Sequence, residues 1–511
     1  MCVDVRSKGS SIVTDECELN HAHNSWADRT FGGAPGAVHS RAHHAVSEPA
    51  VGVLPTRSLT VLACTLALAC GGAEPTPTVP DAGPTLDAGS QCKLSFEEGA
   101  PQGLRVGSHA RIQLLTEGVG DIQVQAPEGW RVELNEAGLD LVVGYTVQTA
   151  TVSVSTVCAN GQVVQSDLPL AVQPLSFSLA AQWTGGDDGP KAREYFSMWV
   201  DPEDAERLWV FGGFHYRPRQ FTPAQDIWSM DLKTHAWTQH APGPADALPG
   251  AGLAVSPEGY ALRYGGLNFN QIPGVSQMPF QLLKARTSSA GLQFEAVAPS
   301  DAPAGGDYQP SFFYHPPSEA FYGACGANDF GARCDVVRYD PASNAWENVL
   351  TEGLEPPSRN GHFWAYDDST DRLIVFSGEG SPASSACDLC RHDTWALEMS
   401  ETPPRWVKLA DDGGALGAIG RRNGTYALDP VHHRLLVWGG TSDGRTPREG
   451  LLALDLDRGH ERWVEVPTEG DAPARASGGM VFDQQRQRML VGFGNGARVY
   501  TDLWALELGT P

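Results

Sequence analysis

Arginine and other polar residues recur at two positions of a segment that repeats along the chain from about residue 190. The arginines come just before one strand of each unit, at Arg193, Arg359, Arg422 and Arg475. The second set follows a glycine pair later in the unit, at His215, Asn268, Asn328, Glu379, Thr441 and Asn495. Guanidinium groups pair with planar anions and amides pair with hydroxyl groups, so these residues can together bind a carboxylate or a sugar. Alternatively, each arginine braces one unit against the next through carbonyl or acidic partners.

Catalytic and metal-binding patterns are sparse. Glu379 with Arg359 and His362 is one candidate set of acid and base groups. The segment "CDLCRH" (387–392) does not fit haem attachment, because Arg391 separates its second cysteine from the histidine. No second Cys or His pair stands nearby to complete a zinc site. We therefore predict no catalytic residue, no metal and no cofactor.

A unit of four short strands repeats six times. Its second strand ends in a glycine pair or a close variant, in "RLWVFGG" (207–213), "YALRYGG" (260–266), "AFYGACG" (320–326), "RLIVFSG" (372–378), "RLLVWGG" (434–440) and "RMLVGFG" (488–494). After a third strand most units carry an aromatic residue, at Trp237, Phe294, Trp346, Trp406 and Trp463. A single sheet cannot bury both faces, so we expect the sheets to stack radially into a ring.

The glycine pairs, the four strands per unit and the closing aromatic together resemble the kelch repeat of β-propellers. The resemblance covers residues 177–511 and implies an all-β fold with a six-bladed propeller. Kelch propellers include binding modules, galactose oxidase with its copper site and bacterial sialic-acid epimerases. We expect a protein- or glycan-binding module, with an epimerase-like, carbohydrate-active enzyme as the alternative. A copper oxidase is disfavoured, because His215 and Tyr216 are nearly alone on the predicted loop face.

The last unit lacks one strand. It ends at "DLWALELGTP" after three strands, while an extra strand with a tryptophan, "SFSLAAQW" (176–183), precedes the first unit. A ring of sheets has an open seam unless its first and last sheets are joined. We therefore predict that this strand pairs with residues 502–508 and completes the last sheet. The turn that holds His432 and His433 faces away from the candidate ligand face, and both histidines are expected at the surface.

The segment "RSLTVLACTLALACGG" (57–72) is typical of an export signal, because its 12-residue apolar run is too short to span a bilayer. It resembles a bacterial lipoprotein signal, which implies cleavage before Cys70 and lipidation of that cysteine. Cys64 is a rival site, and an ordinary signal peptide or a buried apolar segment is the alternative. We expect residues 1–56 to be a disordered, non-native extension and residues 71–91 to be a Pro-, Thr- and Asp-rich linker. The mature protein would be anchored in the bacterial cell envelope, most naturally the outer membrane.

Residues 92–176 form short alternating strands separated by Gly, Pro and Asn-Gly turns. This pattern predicts an immunoglobulin-like β-sandwich, which serves as a spacer or as an accessory binder. Six cysteines follow Cys70, and an oxidising compartment favours disulfides between them. We expect the pairs Cys92–Cys158, Cys325–Cys334 and Cys387–Cys390, although six cysteines allow 15 pairings.

The formal net charge is −25 at pH 7. An acidic surface repels phosphate backbones, so nucleic acid is excluded as a partner. We expect a monomer that contacts the membrane only through its lipid anchor.

Overall fold

The computed structural model describes residues 92–97, 101, 104–136, 138–217, 220–272, 275–288, 291–380, 390–410 and 420–509. The predicted signal, Cys70 and the linker lie outside these ranges. Within them, every regular element is a β-strand except one 3-10 turn at Pro316–Ser318, so the predicted all-β class is confirmed. No helix in the described part of the chain is long and apolar enough to cross a membrane.

Residues 92–173 form three small sheets. Their strands are β1 (Lys93–Phe96), β2 (Leu104–Arg105), β3 (His109–Ile112), β4 (Leu114–Glu117), β5 (Ile122–Gln125), β6 (Arg131–Asn135), β7 (Gly138–Val142), β8 (Thr149–Val157) and β9 (Val163–Gln173). The hydrogen-bonded orders are β1-β4, β2-β9-β8-β5 and β3-β7-β6. A disulfide joins Cys92, just before β1, to Cys158, just after β8, which confirms that predicted pair.

Six sheets with four main strands each follow, and we number them 1 to 6 in chain order. Strands β10 (Leu175–Gln182) and β11 (Arg193–Glu194) precede them. Sheet 1 contains β12 (Ser197–Val200) and β13 (Arg207–Phe211), then a hairpin of β14 (Phe214–Arg217) and β15 (Gln220–Pro223), then β16 (Ile227–Asp231) and β17 (Trp237–Gln239). Sheet 2 contains β18 (Gly252–Ser256) and β19 (Tyr260–Tyr264), a hairpin of β20 (Asn268–Ile272) and β21 (Val275–Gln277), then β22 (Leu282–Ser288) and β23 (Gly291–Ala296).

The other four sheets follow the same order of strands. Sheet 3 contains β24 (Ser311–His315), β25 (Ala320–Asn328), β26 (Gly331–Asp340) and β27 (Ala345–Val349). Sheet 4 contains β28 (Glu352–Gly353), β29 (Phe363–Asp367), β30 (Arg372–Phe376), β31 (Thr394–Glu398) and β32 (Arg405–Ala410). Sheet 5 contains β33 (Thr425–Asp429), β34 (Arg434–Trp438), β35 (Leu451–Asp455) and β36 (Trp463–Val466). Sheet 6 contains β37 (Thr468–Glu469), β38 (Gly479–Asp483), β39 (Arg488–Gly492) and β40 (Asp502–Glu507), together with β10.

Each sheet buries apolar side chains against the next one. Sheets 1 and 2 meet around Trp209, and sheets 4 and 5 meet where the rings of Phe376 and Trp463 lie 4.2 Å apart. Equivalent clusters join sheets 2 and 3, sheets 3 and 4, and sheets 5 and 6. A last cluster joins Leu503 of sheet 6 to Leu208 of sheet 1. The apolar contacts therefore pass through all six sheets and return to the first.

Strand β10 completes sheet 6 by pairing antiparallel with β40, from Ser176 opposite Glu507 to Gln182 opposite Asp502. The predicted pairing of the two distant segments is thus confirmed. Trp183 follows β10, and its ring lies 5.0 Å from that of Trp237 and 5.2 Å from that of Phe493. It therefore packs where sheet 1 meets sheet 6.

The first position of each glycine pair has left-handed backbone. The residues there are Gly212, Gly265, Cys325, Ser377, Gly439 and Phe493, with φ between 55° and 72°. At Gly439 a side chain would collide with the carbonyl oxygen of Arg475, whereas Ser377 and Phe493 adopt this backbone at a cost of roughly 1–2 kcal/mol. The repeat therefore requires the left-handed turn, and glycine is its least costly solution.

Residues 92–173 lie against sheet 5 through polar and apolar contacts. Arg131 forms ion pairs with Asp455 and Asp457. The Arg434 guanidinium donates a hydrogen bond to the carbonyl of Val106 at 3.0 Å. One apolar cluster includes side chains of both parts of the chain. The N-terminal sheets are therefore held on this side of the ring by specific contacts.

This contact makes the expected surface position of His432 and His433 wrong. His432 is only 2% exposed, and its Nδ1 lies 3.0 Å from an oxygen of Asp429. The ring of His109 lies 6.2 Å away and covers this side. The His433 Nε2 lies 2.9 Å from Asp367, so its ring is fixed between two sheets. The two histidines do lie in the predicted turn, between β33 and β34. The packing of residues 92–173 over this turn was not predicted.

Candidate functional site

Three of the four predicted arginines are buried braces. The ion pairs are Arg193 with Asp226 (2.6 Å), Arg359 with Asp393 (2.9 Å) and Arg475 with Asp502 (2.8 Å). Each arginine precedes the first strand of its sheet, and each aspartate lies at the start of the third strand. Burial would raise the pKa of Asp393, yet hydrogen bonds from Arg359 hold it below its ordinary value. These arginines therefore brace strands within one sheet rather than one unit against the next. The aspartates already bind the guanidinium N–H groups that a ligand would need.

The fourth arginine differs, because sheet 5 has two adjacent arginines and the second one lies outside the brace position. Arg421 occupies that position and donates a hydrogen bond to the carbonyl of Gly439 at 3.1 Å. Arg422 forms an ion pair with Glu379 of sheet 4. Two of the predicted ligand-face residues thus meet between neighbouring sheets.

A group of polar side chains surrounds this ion pair at the start of the first strands. We call it the axial cluster, and its members are Glu194, Tyr195, Tyr308, Gln309, Glu379, Arg422, Asn423 and Asn495. Gln309 Nε2 donates to Asn423 Oδ1 at 2.9 Å, and Asn423 Nδ2 donates to the Tyr195 hydroxyl at 3.3 Å. These two bonds join sheets 3, 5 and 1 across the centre of the ring.

Both carboxylates of the axial cluster have hydrogen-bonding partners within it. Asn495 Nδ2 donates to Glu194 Oε1 at 2.5 Å, and Arg422 pairs with Glu379. Burial raises the pKa of Tyr195, and the Glu194 carboxylate raises it further, so this hydroxyl stays neutral. Burial would lower the pKa of Arg422, but the Glu379 charge raises it above its ordinary value. The cluster therefore offers one cation, two carboxylates and several neutral hydrogen-bonding groups.

A cavity of about 690 Å³ begins at the axial cluster and follows the first strands of all six sheets. Tyr314, Trp364, Tyr366 and Tyr426 line it, and each is half-buried, so solvent reaches part of each side chain. Pockets of this size with aromatic walls and a few placed polar groups are typical of small-ligand sites. Aromatic faces pack on the apolar faces of sugar rings, while amides and hydroxyls pair with sugar hydroxyl groups.

Of the other predicted ligand residues, His215, Asn268 and Asn328 lie farther along the connections after the second strands, whereas Thr441 directly follows the glycine pair of sheet 5. His215 Nε2 is 3.5 Å from Asp226, beside the brace of sheet 1. Asn268 begins the hairpin of sheet 2. In the turn between β25 and β26, the side-chain oxygen of Asn328 accepts a hydrogen bond from the backbone N–H of Phe330 at 3.0 Å. Thr441 exchanges backbone hydrogen bonds with Arg422. Of the ten predicted residues, the axial cluster thus includes Glu379, Arg422 and Asn495.

The three residues considered as an acid and base set are bound to different partners. Arg359 binds Asp393, Glu379 binds Arg422, and His362 Nε2 lies 2.7 Å from the Ser311 hydroxyl. Burial lowers the pKa of His362 to about 3, so its imidazole is neutral. His362 also lines the cavity, where it can act as a hydrogen-bonding group.

A Gly-x-Ser-x-Gly spelling occurs at 440–444 and escaped the sequence analysis. In hydrolases this pattern places a nucleophilic serine between a strand and a helix. Here β34 precedes it and β35 follows, and Ser442 accepts a hydrogen bond from Arg448 Nε at 3.0 Å. The surroundings of Ser442 thus differ from those of a nucleophile.

Five members of the axial cluster were not predicted from the sequence: Glu194, Tyr195, Tyr308, Gln309 and Asn423. Tyr195, Gln309 and Asn423 occupy the position two residues after the brace position, where the backbone has φ between 53° and 56°. The remaining sheets have Gly250, Gly361 and Ser477 there, also with positive φ. An alignment extended by two residues beyond each arginine would have found this position, since its residue types are polar or glycine in every unit.

The Cys325–Cys334 disulfide is present and confirms a second predicted pair. Cys390 is disulfide-bonded, while Cys387 lies outside the described residues. Among the described residues, no group of three or more His, Cys, Asp and Glu side chains is arranged to hold a metal ion.

Comparison with known proteins finds similarity to kelch repeats in the C-terminal part of the chain. Residues 318–511 match the family model described as the KLHDC2/KLHL20/DRC7 Kelch-repeats domain. The chain is 29% identical over 151 residues to the serine/threonine-protein phosphatase BSL2 of Arabidopsis thaliana, covering 30% of this chain and 14% of that protein. It is 26% identical over 140 residues to Adagio-like protein 3 of Oryza sativa subsp. japonica, covering 27% and 20%. The matches thus span at most a fifth of these relatives.

Among solved structures, the chain is similar to the protein in the structure of YjhT. The two share 15% identity with a TM-score of 0.47. The similarity covers 63% of this chain and 96% of that one.

Proposed function

We propose that the chain is a glycan-binding module in which the six sheets form one closed six-bladed propeller and the ligand enters the axial cavity. The observation that carries this proposal is the cavity of about 690 Å³ with half-buried aromatic walls and the axial cluster at one end. The kelch match over residues 318–511 is consistent with a module that binds rather than with one fixed chemistry.

The aromatic walls favour a polyhydroxylated ligand. Trp364 and Tyr426 come from neighbouring sheets, and their rings lie 6.2 Å apart at an interplanar angle of 62°. A sugar ring can pack on one of these faces while its hydroxyl groups reach Gln309 and Asn423. The hydrogen bond between these two amides can open toward a ligand, because each amide has more donor and acceptor sites than the bond uses.

A second candidate function is protein binding at the turn between β25 and β26. Phe330 at this turn is 98% exposed, and the Cys325–Cys334 disulfide ties the two strands together. An exposed aromatic side chain on a rigid hairpin is a typical anchor for a protein partner. The epimerase-like alternative has less support, because Glu379, Arg359 and His362 are each bound to a different partner.

We further propose that the module is carried on the cell envelope as a monomer. In this proposal, lipid at Cys70 anchors the chain, and residues 71–91 and an immunoglobulin-like sandwich hold the propeller away from the membrane. The sheets formed by residues 92–173 support the spacer part of the proposal.

Glycan-array binding by the purified protein, followed by calorimetric titration of the best glycan, tests the proposal. Trp364→Ala should lower the affinity about tenfold or more, which corresponds to about 1.4 kcal/mol. Asn423→Ala should lower it as well, because it removes the amide that contacts Gln309 and Tyr195. A melting curve for each variant distinguishes a lost contact from unfolding.

Phe330→Ala is the matched control, because it removes an aromatic side chain that does not line the cavity. It should leave glycan affinity unchanged. Absence of any glycan ligand, together with a protein partner whose binding requires Phe330, would replace the proposed function with the second candidate. Turnover of a sialic acid by the wild-type protein would favour the enzyme alternative.

A further inference from the structure

One end of the axial cavity is formed by neutral residues. Each sheet contributes the residue two positions after its brace position, and all six of these residues line the cavity. We call them the cavity floor: Tyr195, Gly250, Gln309, Gly361, Asn423 and Ser477. Their side chains are hydroxyl groups, amides or absent, so the floor offers hydrogen-bonding groups without a formal charge.

The charged members of the axial cluster do not face the cavity. Glu194, Glu379 and Arg422 are buried, and none of them lines it. Arg422 is bound to Glu379, and Glu194 accepts a hydrogen bond from Asn495. A ligand in the cavity therefore meets the neutral floor rather than these charges.

The floor also closes this end of the cavity. Gln309 Nε2 donates to Asn423 Oδ1 at 2.9 Å, and Asn423 Nδ2 donates to the Tyr195 hydroxyl at 3.3 Å, across the centre of the ring. Neighbouring floor residues are joined by their backbones as well. The N–H groups of Gly250 and Gln309 donate to the carbonyls of Tyr195 and Gly250, each at 2.8 Å. A chain could pass straight through the ring only by breaking such contacts, so a ligand ends at the floor.

The other end of the cavity opens at the turns between first and second strands. The lining there includes Pro316, Asp368 and Pro430, which follow the first strands of sheets 3, 4 and 5 and are all exposed. From Asn423 on the floor to Pro430, an extended chain spans up to roughly 20 Å. A ligand therefore enters from this side with one end leading.

The walls between floor and mouth are apolar or aromatic. Three positions after each floor residue, the lining residues are Met198, Leu253, Phe312, Trp364, Tyr426 and Met480. Among the described residues that line the cavity, Asp368 at the mouth carries the only charge, because burial lowers the pKa of His362 to about 3 and keeps it neutral. A carboxylate brought into these surroundings would lose water and gain no counter-charge.

We propose that the cavity binds the neutral terminal sugar of a glycan chain, which enters from the turn side, and that it excludes chains whose terminal sugar carries a carboxylate. The inference rests on the proposed glycan-binding function and specifies its ligand. A terminal sialic or glucuronic acid would be rejected, whereas a terminal hexose would place its hydroxyl groups on the floor.

A glycan array tests the ligand class. It should carry neutral oligosaccharides beside the same oligosaccharides capped at their free end with sialic or glucuronic acid. We expect the purified full chain to bind at least one neutral glycan and to lose about tenfold or more of that affinity on capping. Capped glycans that bind as well as uncapped ones would overturn this inference and leave the proposed function intact. Binding of no glycan at all would overturn both.

Two substitutions at Leu253 test the electrostatic reason. This residue is half-buried in the wall, and Leu253→Lys adds a cation there, whereas Leu253→Gln adds polarity without charge. Only Leu253→Lys should gain binding of the capped glycan. If the lysine variant does not fold, the salt dependence of the wild type decides. Affinity for the neutral glycan should not change with added salt, and a marked fall would mean that the ligand reaches a charged group.

Chemical blocking of the mouth tests the direction of entry. Asp368→Cys, labelled with a bulky maleimide, should lose glycan binding because the label covers the open end. Phe330→Cys with the same label is the control and should bind normally, since Phe330 is 98% exposed and does not line the cavity. Labelled wild type measures any reaction of the native cysteines. Unchanged binding by labelled Asp368→Cys would overturn entry from the turn side.

Discussion

In five of the six sheets, buried polar groups are paired at the corner between the start of the first strand and the start of the third, but by different residues. Sheets 1, 4 and 6 use an arginine and an aspartate. Sheet 3 reverses the charges, since Asp307 stands at the arginine position and is held by Arg333 at 2.6 Å. In sheet 2, the buried Arg263 donates a hydrogen bond to the Leu248 carbonyl at 2.9 Å, and Gln281 accepts one from the Leu248 amide at 3.1 Å. Several residue types can therefore form hydrogen bonds with the buried polar groups at this corner.

Replacement of Asp393 by alanine should be strongly destabilising. It leaves the fully buried Arg359 guanidinium without its counter-charge, and such losses cost about 3–5 kcal/mol in the free energy of unfolding. Urea-induced unfolding followed by tryptophan fluorescence measures the change. Asp335→Ala is the control, because the Asp335 side chain is 63% exposed and its ion pair should contribute less than about 1 kcal/mol. Equal losses in the two variants would show that the brace contributes no more than a surface pair.

At the scale of elements, the last sheet depends on a strand from far along the chain. Strand β10 lies between β40 and β37, and Trp183 packs at the junction of sheets 6 and 1. Loss of β10 would expose the edge of β40 and open the contact between these sheets.

Deletion of residues 177–187 should therefore lower the melting temperature by about 10 °C or more, because several buried side chains and one complete strand pairing are lost together. Differential scanning calorimetry measures it. A deletion of equal length in the linker, residues 75–85, is the control and should leave the melting temperature unchanged. If the two deletions behaved alike, β10 would not be needed to close sheet 6.

At the scale of the whole molecule, one charged group links three parts of the chain. His433 lies between Asp367 of sheet 4 and Asp457, which lies between β35 and β36 of sheet 5. Asp457 is also bound by Arg131 of the N-terminal sheets. The hydrogen bond with Asp367 and then that with Asp457 raise the pKa of His433 to about 9. Protonated His433 therefore stabilises contacts between sheets 4 and 5 and supports the docking of residues 92–173.

The stability of the protein should fall in mildly alkaline solution. Folded His433 keeps its proton up to about pH 9, whereas the unfolded residue releases it near 6.5, so its contribution is complete below pH 6.5. The contribution is lost as the pH rises through 9 and amounts to about 2–3 kcal/mol. Urea unfolding of the wild type and of His433→Asn between pH 6 and 10 measures it, and the variant should show a flatter dependence. The exposed His460 offers the control His460→Asn, which should follow the wild type; a wild-type slope in His433→Asn would refute the assignment.

The sequence by itself determined the strands, the repeat and the closure, because these depend on local patterns. Alternating apolar residues, tight turns and glycine pairs recur in each unit, and a count of strands was enough to pair β10 with β40. The left-handed turn is equally local, which is why Ser377 and Phe493 can replace glycine without loss of the pattern.

Only the tertiary structure decided which polar residues face the axis. Arg421 and Arg422 are neighbours in sequence, yet one is a brace and the other pairs with Glu379 of the next sheet, because side chains one position apart in an extended segment point in opposite directions. The axial cluster joins residues such as Gln309 and Asn423 that are far apart in the chain, so no local pattern identifies them as partners. The burial of His432 likewise required the packing of residues 92–173 on sheet 5, which arises from contacts between distant segments.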